Sequence, residues 1–279
     1  MILENTIKEA SEILKNHKII SHELDAQIIL SDILGVSKEF LLLNSDMRIN
    51  ERIKTQFDNA IKRRVKHEPV AYIIGKKEFW SKNFLVNQST LVPRPETELL
   101  IYKIVKYYKN KKINILDIGT GSGCILLSIL KELKNSRGIG LDISKNAIRT
   151  AIINSKNLKL YNRSKFKIFD INNFNLGKYD LIVSNPPYIC SGDIRNLSLD
   201  IRNFEPLIAL NGGYDGLDLI KKVIYKSIIL LKRNGLLAIE IGNQQYIQAS
   251  RLLKRSGFRE IRREYDNNRN VRCIIGTKL

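Results

Sequence analysis

The stretch INILDIGTGSG, residues 113–123, changes character halfway along. Its first half, with Ile113, Ile115, Leu116 and Ile118, is an apolar run of strand length, the pattern of a strand covered on both faces. Its second half sets Gly119, Gly121 and Gly123 around Thr120 and Ser122, and helical periodicity follows. Glycine accepts positive φ and carries no Cβ, so such a turn can run close to a ligand beside the N-terminus of the next helix. Asp142 ends the next apolar run, 19 positions after Gly123. A carboxylate there can accept hydrogen bonds from both hydroxyls of a ribose. A glycine turn alone can serve packing only; strand, helix and acid together predict a site for a nucleoside cofactor.

Outward from this motif, short apolar runs recur at 138–142 (GIGLD), 166–170 (FKIFD), 179–185 (YDLIVSN) and 235–242 (GLLAIEIG). Segments of helical length separate most of them, which predicts an α/β fold with a parallel sheet covered on both faces. FREIRREY (258–265) and VRCIIGT (271–277) are joined only by DNNRN, too short for a parallel crossover. The sheet should therefore finish with an antiparallel hairpin, unlike a plain dinucleotide-binding fold. Upstream, residues 3–16, 22–34 and 37–43 read as helices, and Ile53, Phe57, Ala60 and Ile61 share one face of a fourth that Asn50 can cap. KEFWSKNFLVN (77–87) holds two short runs around Ser81-Lys82-Asn83, a hairpin signal, and Pro95 with Glu96 and Glu98 marks a helix entry. The expected organisation is a small helical bundle over 1–72, a hairpin linker over 73–95 and the α/β domain over 96–279.

The run DLIVSNPPYIC, residues 180–190, raises a separate question. A buried strand is cut off by Asn185, Pro186, Pro187 and Tyr188. Two prolines fix φ and donate no backbone hydrogen bond, so neither sheet nor helix continues. Taken alone this is a proline-stopped loop. At the end of the fourth strand, downstream of the glycine motif, it reads as a rigid ledge with an amide in front and a ring behind.

Composition narrows the function classes. The 279 residues, 43% of them hydrophobic, suffice for a real core, and no run approaches the roughly 20 apolar residues of a membrane span. With no export signal at the N-terminus (MILENTIKEASEILK), the expected home is a reducing cytoplasm. Cys124, Cys190 and Cys273 fit no disulfide framework, and His17, His22 and His67 show no ligand spacing, so no metal is expected. The formal charge of +19 admits a polyanionic partner. Apart from short clusters such as KRRVK at 62–66, the basic residues are scattered, which favours compositional drift with weak nucleic-acid affinity as a by-product. No obligatory nucleic acid is expected, and the chain is expected to be a monomer.

A dinucleotide site usually has GxGxxG, and here the third glycine comes one step early. With the antiparallel finish, residues 95–279 resemble the class I S-adenosylmethionine-dependent methyltransferases. That resemblance implies that Gly119, Thr120, Gly121, Ser122 and Gly123 flank the methionine part of the cofactor and that Asp142 holds its ribose. Asp170 and Ile171 would border the adenine, and Asn185 would lie against the cofactor as well.

The ledge then acquires a chemical meaning. A planar –NH2 nitrogen is a poor methyl acceptor because its lone pair is delocalised, so it must be held with that lone pair aimed at the sulfonium methyl. The Asn185 side-chain oxygen and a neighbouring backbone carbonyl, Pro186 in this reading, can accept its two N–H groups, and Pro187 stiffens the support. Such acceptors also favour the charge developing on nitrogen. Tyr188 can cover the flat face of the acceptor. Asn185, Pro186, Pro187 and Tyr188 are thus the expected catalytic and substrate-binding residues.

Adenine N6, guanine N2 and glutamine N5 all present a planar –NH2, so NPPY cannot choose among them. RRVKHEPVAYIIGKKEFWS (63–81), TLVPRPETELL (90–100), SNPPYI (184–189), and FEPLIAL with NGGYDGLDLI (204–220) together resemble the bacterial release factor glutamine methyltransferase family. The resemblance spans nearly the whole chain. It implies methylation of the side-chain amide of the glutamine in the GGQ loop of peptide chain release factors, with the helical domain helping to grip the factor. The alternative is a nucleic-acid amino-methyltransferase, against which stands the absence of a base-recognition domain in a chain that would have to flip its target base. A departure is EYDNNRNVR (264–272), where relatives tend to carry an acidic DYxGxxR-like turn. Glu78, Phe79, Trp80, Arg94, Thr97 and Glu98 are weighed between lining the site and packing, and Phe204-Glu205-Pro206 between packing and buttressing NPPY.

Overall fold

The structure, a computed structural model, describes residues 1–266 and 268–279, so Asn267 of the DNNRN connection lies outside the described residues. The chain forms two compact units. One comprises Met1–Lys76 with Ser198–Phe204, the other Lys77–Leu197 with Glu205–Leu279.

The first unit is helical: α1 (Leu3–Asn16), α2 (His22–Leu34), α3 (Lys38–Leu43), α4 (Glu51–Val65) and α5 (Val70–Ile74). Leu3, Leu14, Ile29, Leu30, Leu41 and Phe57 are buried together at its centre. The caps follow from residue chemistry: Asn50 Oδ1 accepts from Ile53 N at 2.9 Å and Ser37 Oγ from Phe40 N at 3.2 Å. Arg64 of α4 is buried, and its guanidinium is fully engaged. It donates to Asp25 Oδ2 at 2.7 Å and to the Glu68 carbonyl at 3.1 Å, and lies 3.0 Å from Asp200 Oδ2. Asp200 arrives on the short segment 198–204 that packs with this unit.

The second unit starts with a hairpin of β1 (Lys76–Phe79) and β2 (Lys82–Leu85), β1 beginning on the last residue of the first unit. Its turn is Trp80-Ser81, with φ of 50° and 54°, rather than Ser81-Lys82-Asn83. Two successive positive φ values suit the right-handed twist of paired strands. Here the tryptophan is held in that conformation from outside the turn: Trp80 N donates to Glu98 Oε1 at 2.8 Å and its indole to Glu132 Oε1 at 2.9 Å. A single 3₁₀ turn, Pro95–Thr97, then leads into α6 (Glu98–Tyr107).

The remaining elements are β3 (Asn114–Ile118), α7 (Cys124–Glu132), β4 (Arg137–Asp142), α8 (Lys145–Asn157), β5 (Ser164–Ile168), β6 (Tyr179–Ser184), α9 (Leu199–Phe204, in the first unit), α10 (Asp218–Leu230), β7 (Leu231–Glu240), α11 (Tyr246–Arg255), β8 (Phe258–Tyr265) and β9 (Val271–Lys278). The seven strands line up as β5-β4-β3-β6-β7-β9-β8, with β9 antiparallel to both neighbours and the other pairings parallel. This is the α/β sheet with an antiparallel finish that the alternation predicts. Successive residues of a strand face opposite sides, and here both sides are covered. Ile115 packs with Leu100, Ile104 and Leu126, whereas Leu116 and Ile118 pack with Ile220, Val223 and Leu253. Apolar residues on both faces are why INILDI carries no polar alternation.

The strand order reverses between β3 and β6. One half of the sheet grows from β3 through β4, the other from β6 through β7, so the loops leaving β3 and β6 diverge and a crevice opens at their carboxyl ends.

Candidate active site

The two motifs leave adjacent strands at the same level. Ile118 pairs with Ser184 in the parallel register of β3 and β6, so Gly119 and Asn185 are the next residues out of neighbouring strands. Parallel strands lie about 4.8 Å apart, so the glycine turn and the Asn-Pro ledge share one crevice. That crevice is a cavity of about 570 Å³, a size ordinary for a nucleoside-bearing ligand. Gly119, Thr120, Gly121, Ser122, Asp142, Asp170, Ile171, Asn185 and Pro187 line it. Gly123, Pro186 and Tyr188 are not among the lining residues.

Gly119 and Gly121 adopt φ of +73° and +56°, and nothing stands within 4 Å of where a Cβ would be built on either. Their backbone is thus open on that side. The turn is tied to β4 at its base, Gly119 N and Thr120 N both donating to the Leu141 carbonyl at 2.9 Å. Asp142 closes it: Oδ2 accepts from Gly121 N and Oδ1 from Ser144 N, each at 2.9 Å. Burial raises the Asp142 pKa while these backbone donors oppose the rise. Each carboxylate oxygen keeps a further lone pair for ribose hydroxyls. Phe169, Asp170 and Ile171 form the wall beyond the end of β5. Open glycine backbone, a strand-end carboxylate and a wall with the apolar side chains of Phe169 and Ile171 fit S-adenosylmethionine. Below the turn, buried Asp117 accepts from Thr120 Oγ1 at 2.7 Å, and burial pushes its carboxyl up to about 7.

The ledge is held mostly by residues distant in sequence. Asn185 Nδ2 donates to Thr97 Oγ1 at 3.3 Å, and the Thr97 hydroxyl donates to Glu240 Oε2 at 2.6 Å. Tyr188 does not cover the cavity. Its ring packs against the hydrophobic core that α10 and α11 cover, and its hydroxyl lies 3.4 Å from Glu240 Oε1 as donor. The physical reason is that Glu240, at the end of β7 and 1% exposed, needs donors that an apolar strand end does not supply. Burial pushes Glu240 up to about 7, against the pull of the Thr97 and Tyr188 hydroxyls, and burial likewise raises the Tyr188 phenol. Gln245 donates to the Tyr188 carbonyl at 2.9 Å and to the Gly216 carbonyl at 3.1 Å. Past the ledge, Ile189 N donates to Leu210 O at 3.1 Å and Ile189 O accepts from Gly212 N at 2.8 Å. NGGYDG therefore buttresses NPPY.

Of the weighed residues, Arg94 and Thr97 line the cavity and Glu98 caps Trp80 instead. Glu205 is buried, accepts from Arg94 at 2.5 Å and Val92 N at 3.3 Å, and thereby fixes the segment that forms one cavity wall. Cys124 also lines the cavity, its thiol pushed up to about 12 by burial. Sequence reasoning did not single out Glu240 or Gln245. The available signal was one acid in the otherwise apolar GLLAIEIG. No group of His, Cys, Asp and Glu suited to a metal occurs among the described residues.

Comparison with known proteins fits this geometry. Residues 5–75 match the family described as PrmC N-terminal domain, and residues 109–271 match a methyltransferase domain family. A release factor glutamine methyltransferase from Clostridium acetobutylicum is 36% identical over 282 residues, covering 100% of this chain and 99% of the relative. One from Caulobacter vibrioides is 34% identical, covering 96% of this chain and 94% of the relative. The crystal structure of a methyltransferase from Pyrococcus furiosus shares the fold, with a TM-score of 0.54 at 14% identity over 79% of this chain and 98% of that one. On end-to-end identity at this level, the chain belongs to the release factor glutamine methyltransferase family.

Proposed function

We propose that this protein transfers a methyl group from S-adenosylmethionine to the side-chain amide nitrogen of the glutamine in the GGQ loop of peptide chain release factors. The observation that carries the reading is the register of β3 and β6, which brings the Gly119 turn and Asn185 out side by side. In this reading Gly119, Thr120, Gly121, Ser122, Asp142, Asp170 and Ile171 hold the cofactor. When bound, it supplies an electrophilic methyl carbon on a sulfonium.

The chain's own residues then have to present a nitrogen. With Asn185 Nδ2 committed to Thr97, its Oδ1 is the free end of the amide and accepts one N–H of the substrate. The Pro186 carbonyl accepts the other, and the two fixed acceptors turn the amide plane so that the nitrogen lone pair faces the glycine turn. As nitrogen becomes positive both acceptors bind it more tightly, which is where they lower the barrier. The spare proton is acidic once nitrogen is alkylated and leaves to solvent, so no general base is assigned. Tyr188 and Gln245 act as struts of the ledge. Residues 1–72 are the proposed grip on the release factor, 73–95 the linker and 96–279 the catalytic domain, working as a cytoplasmic monomer. No described helix is long and apolar enough to cross a membrane.

The test is transfer of labelled methyl to unmodified release factor, its loop Gln→Ala variant, DNA and RNA in parallel. Label is expected on the wild-type factor alone. Label on nucleic acid and none on the factor would replace this reading with an amino-methyltransferase of bases.

A further inference from the structure

Thr97 and Tyr188, two of the groups that hold the ledge, meet at one buried carboxylate, Glu240, and the direction of the hydrogen bonds through Thr97 carries information. Thr97 has one hydroxyl proton, and it goes to Glu240 Oε2 at 2.6 Å. What Thr97 then offers on its other side is a lone pair, and Asn185 Nδ2 lies 3.3 Å from it. An amide has a donor end and an acceptor end of nearly the same shape, so packing alone holds either way round equally well. Only the polarity of its partner chooses. With the carboxylate as terminal acceptor, proton direction runs from Asn185 to Thr97 to Glu240, and the Asn185 oxygen is left facing the cavity. Reversed, Thr97 would donate to the Asn185 oxygen and the –NH2 end would face the incoming –NH2 of the substrate, donor against donor.

We propose that Glu240, through Thr97, is a positioning pair that fixes which end of the Asn185 amide faces the methyl acceptor. Neither touches the reacting atoms. The proposal rests on the methyl-transfer reading only for its kinetic arm, since the amide orientation is a property of the chain by itself.

The arrangement has a built-in sensitivity. A proton on Glu240 makes that carboxyl a donor to Thr97 and frees the Thr97 proton for Asn185, which is the reversed state. Burial moves the Glu240 carboxyl up to about 7, so the change falls within an accessible range. The charged and titratable groups facing Glu240 are Arg272 and Cys273 on β9, Glu96 ahead of α6, Tyr188 on the ledge and Cys124 at the start of α7. Arg272 favours the ionised carboxylate and Glu96 disfavours it. The thiols and the phenol stay neutral through this range, because burial raises all three. Asp117, also near 7, is the one other buried carboxyl raised to that range among the described residues, and it must be told apart.

The experiment has two arms. The first is NMR of the Asn185 side-chain amide in the cofactor-free protein, assigned through loss of its signal in Asn185→Asp. In the wild type these resonances are expected to titrate with a midpoint near pH 7, and the titration should vanish in Glu240→Gln and Thr97→Val but persist in Asp117→Asn. In the second arm, Thr97→Val, which keeps shape and deletes the hydroxyl, should lower kcat by roughly tenfold to a hundredfold with KM for release factor and cofactor affinity little moved. Thr97→Ser, which restores the hydroxyl, should recover most of that loss. Persistence of the Asn185 titration in Glu240→Gln overturns the proposal, as does a Thr97→Val enzyme as fast as Thr97→Ser. A wild type that methylates no release factor defeats the substrate reading instead and leaves the NMR arm to decide this one.

Discussion

The glycine turn and the Asn-Pro ledge sit on neighbouring strands and are built by opposite means. The turn is local. Its shape comes from three glycines within five residues, and its supports are Leu141 and Asp142, at the end of the neighbouring strand β4. The ledge is assembled from afar. Thr97, Leu210, Gly212, Glu240 and Gln245 each supply a hydrogen bond to it or to its immediate continuation. A phosphate-free cofactor can be met by bare backbone and one carboxylate, whereas orienting a single amide nitrogen needs a side chain that cannot turn over. Binding and chemistry should therefore be separable by mutation, one loop for each.

The sharpest break between them is Asn185→Ala. Turnover is expected to fall by roughly a hundredfold or more, as when a preorganised transition-state contact is removed, while cofactor affinity by calorimetry stays within about threefold. Equal loss of both would mean that the two loops are one functional unit. Next comes Gln245→Ala, which strips partners from the Tyr188 and Gly216 carbonyls and from Gly242 N. Leaving such groups buried and unsatisfied costs about 1–3 kcal/mol, visible in the denaturant midpoint, and turnover should drop more than cofactor affinity. The converse variant is Gly121→Ala. Space for the methyl exists, but a left-handed φ of +56° costs an L-residue roughly 1–2 kcal/mol. Cofactor should bind on the order of tenfold more weakly, with single-turnover rate at saturation nearly intact.

The smallest effect is a pH dependence of stability beneath the turn. Asp117 ionises near 3.8 when unfolded but holds its proton to about 7 when folded. In that window the folded state binds more protons, so this group's stabilising contribution is complete below about pH 4 and is lost as pH rises towards 7. Asp117→Asn cannot lose a proton. Its stability relative to the wild type should therefore rise between pH 5 and pH 8, measured by denaturant midpoints without cofactor. A constant difference would show that Asp117 does not titrate in the fold as described.

The same contrast explains what could be read from the chain in advance. Strand, glycine turn and acid lie within 30 residues, so the sheet and the crevice at its strand ends were legible from spacing and periodicity. NPPY announced a rigid stop, yet the role assigned to Tyr188 was misjudged, because nothing near residue 188 reveals a buried acid at 240. The Trp80-Ser81 turn was misjudged for the same cause: its conformation is held by Glu98 and Glu132, from other elements. Local chemistry was visible, and partners supplied by tertiary structure were not.

Asp200 has a bearing on how the protein is made. Arg64 is committed to the interior of the helical unit, and one of its three acceptors is on a segment synthesised long after the bundle itself. During translation the bundle can collapse early, but this guanidinium has to wait for Asp200 to leave the ribosome before its pairing is complete. The N-terminal unit of a protein that modifies the translation machinery would thus reach its final form only when the methyl-transfer unit is largely synthesised, and a nascent chain arrested between residues 76 and 198 should stay more open to proteases around Arg64 than the finished one.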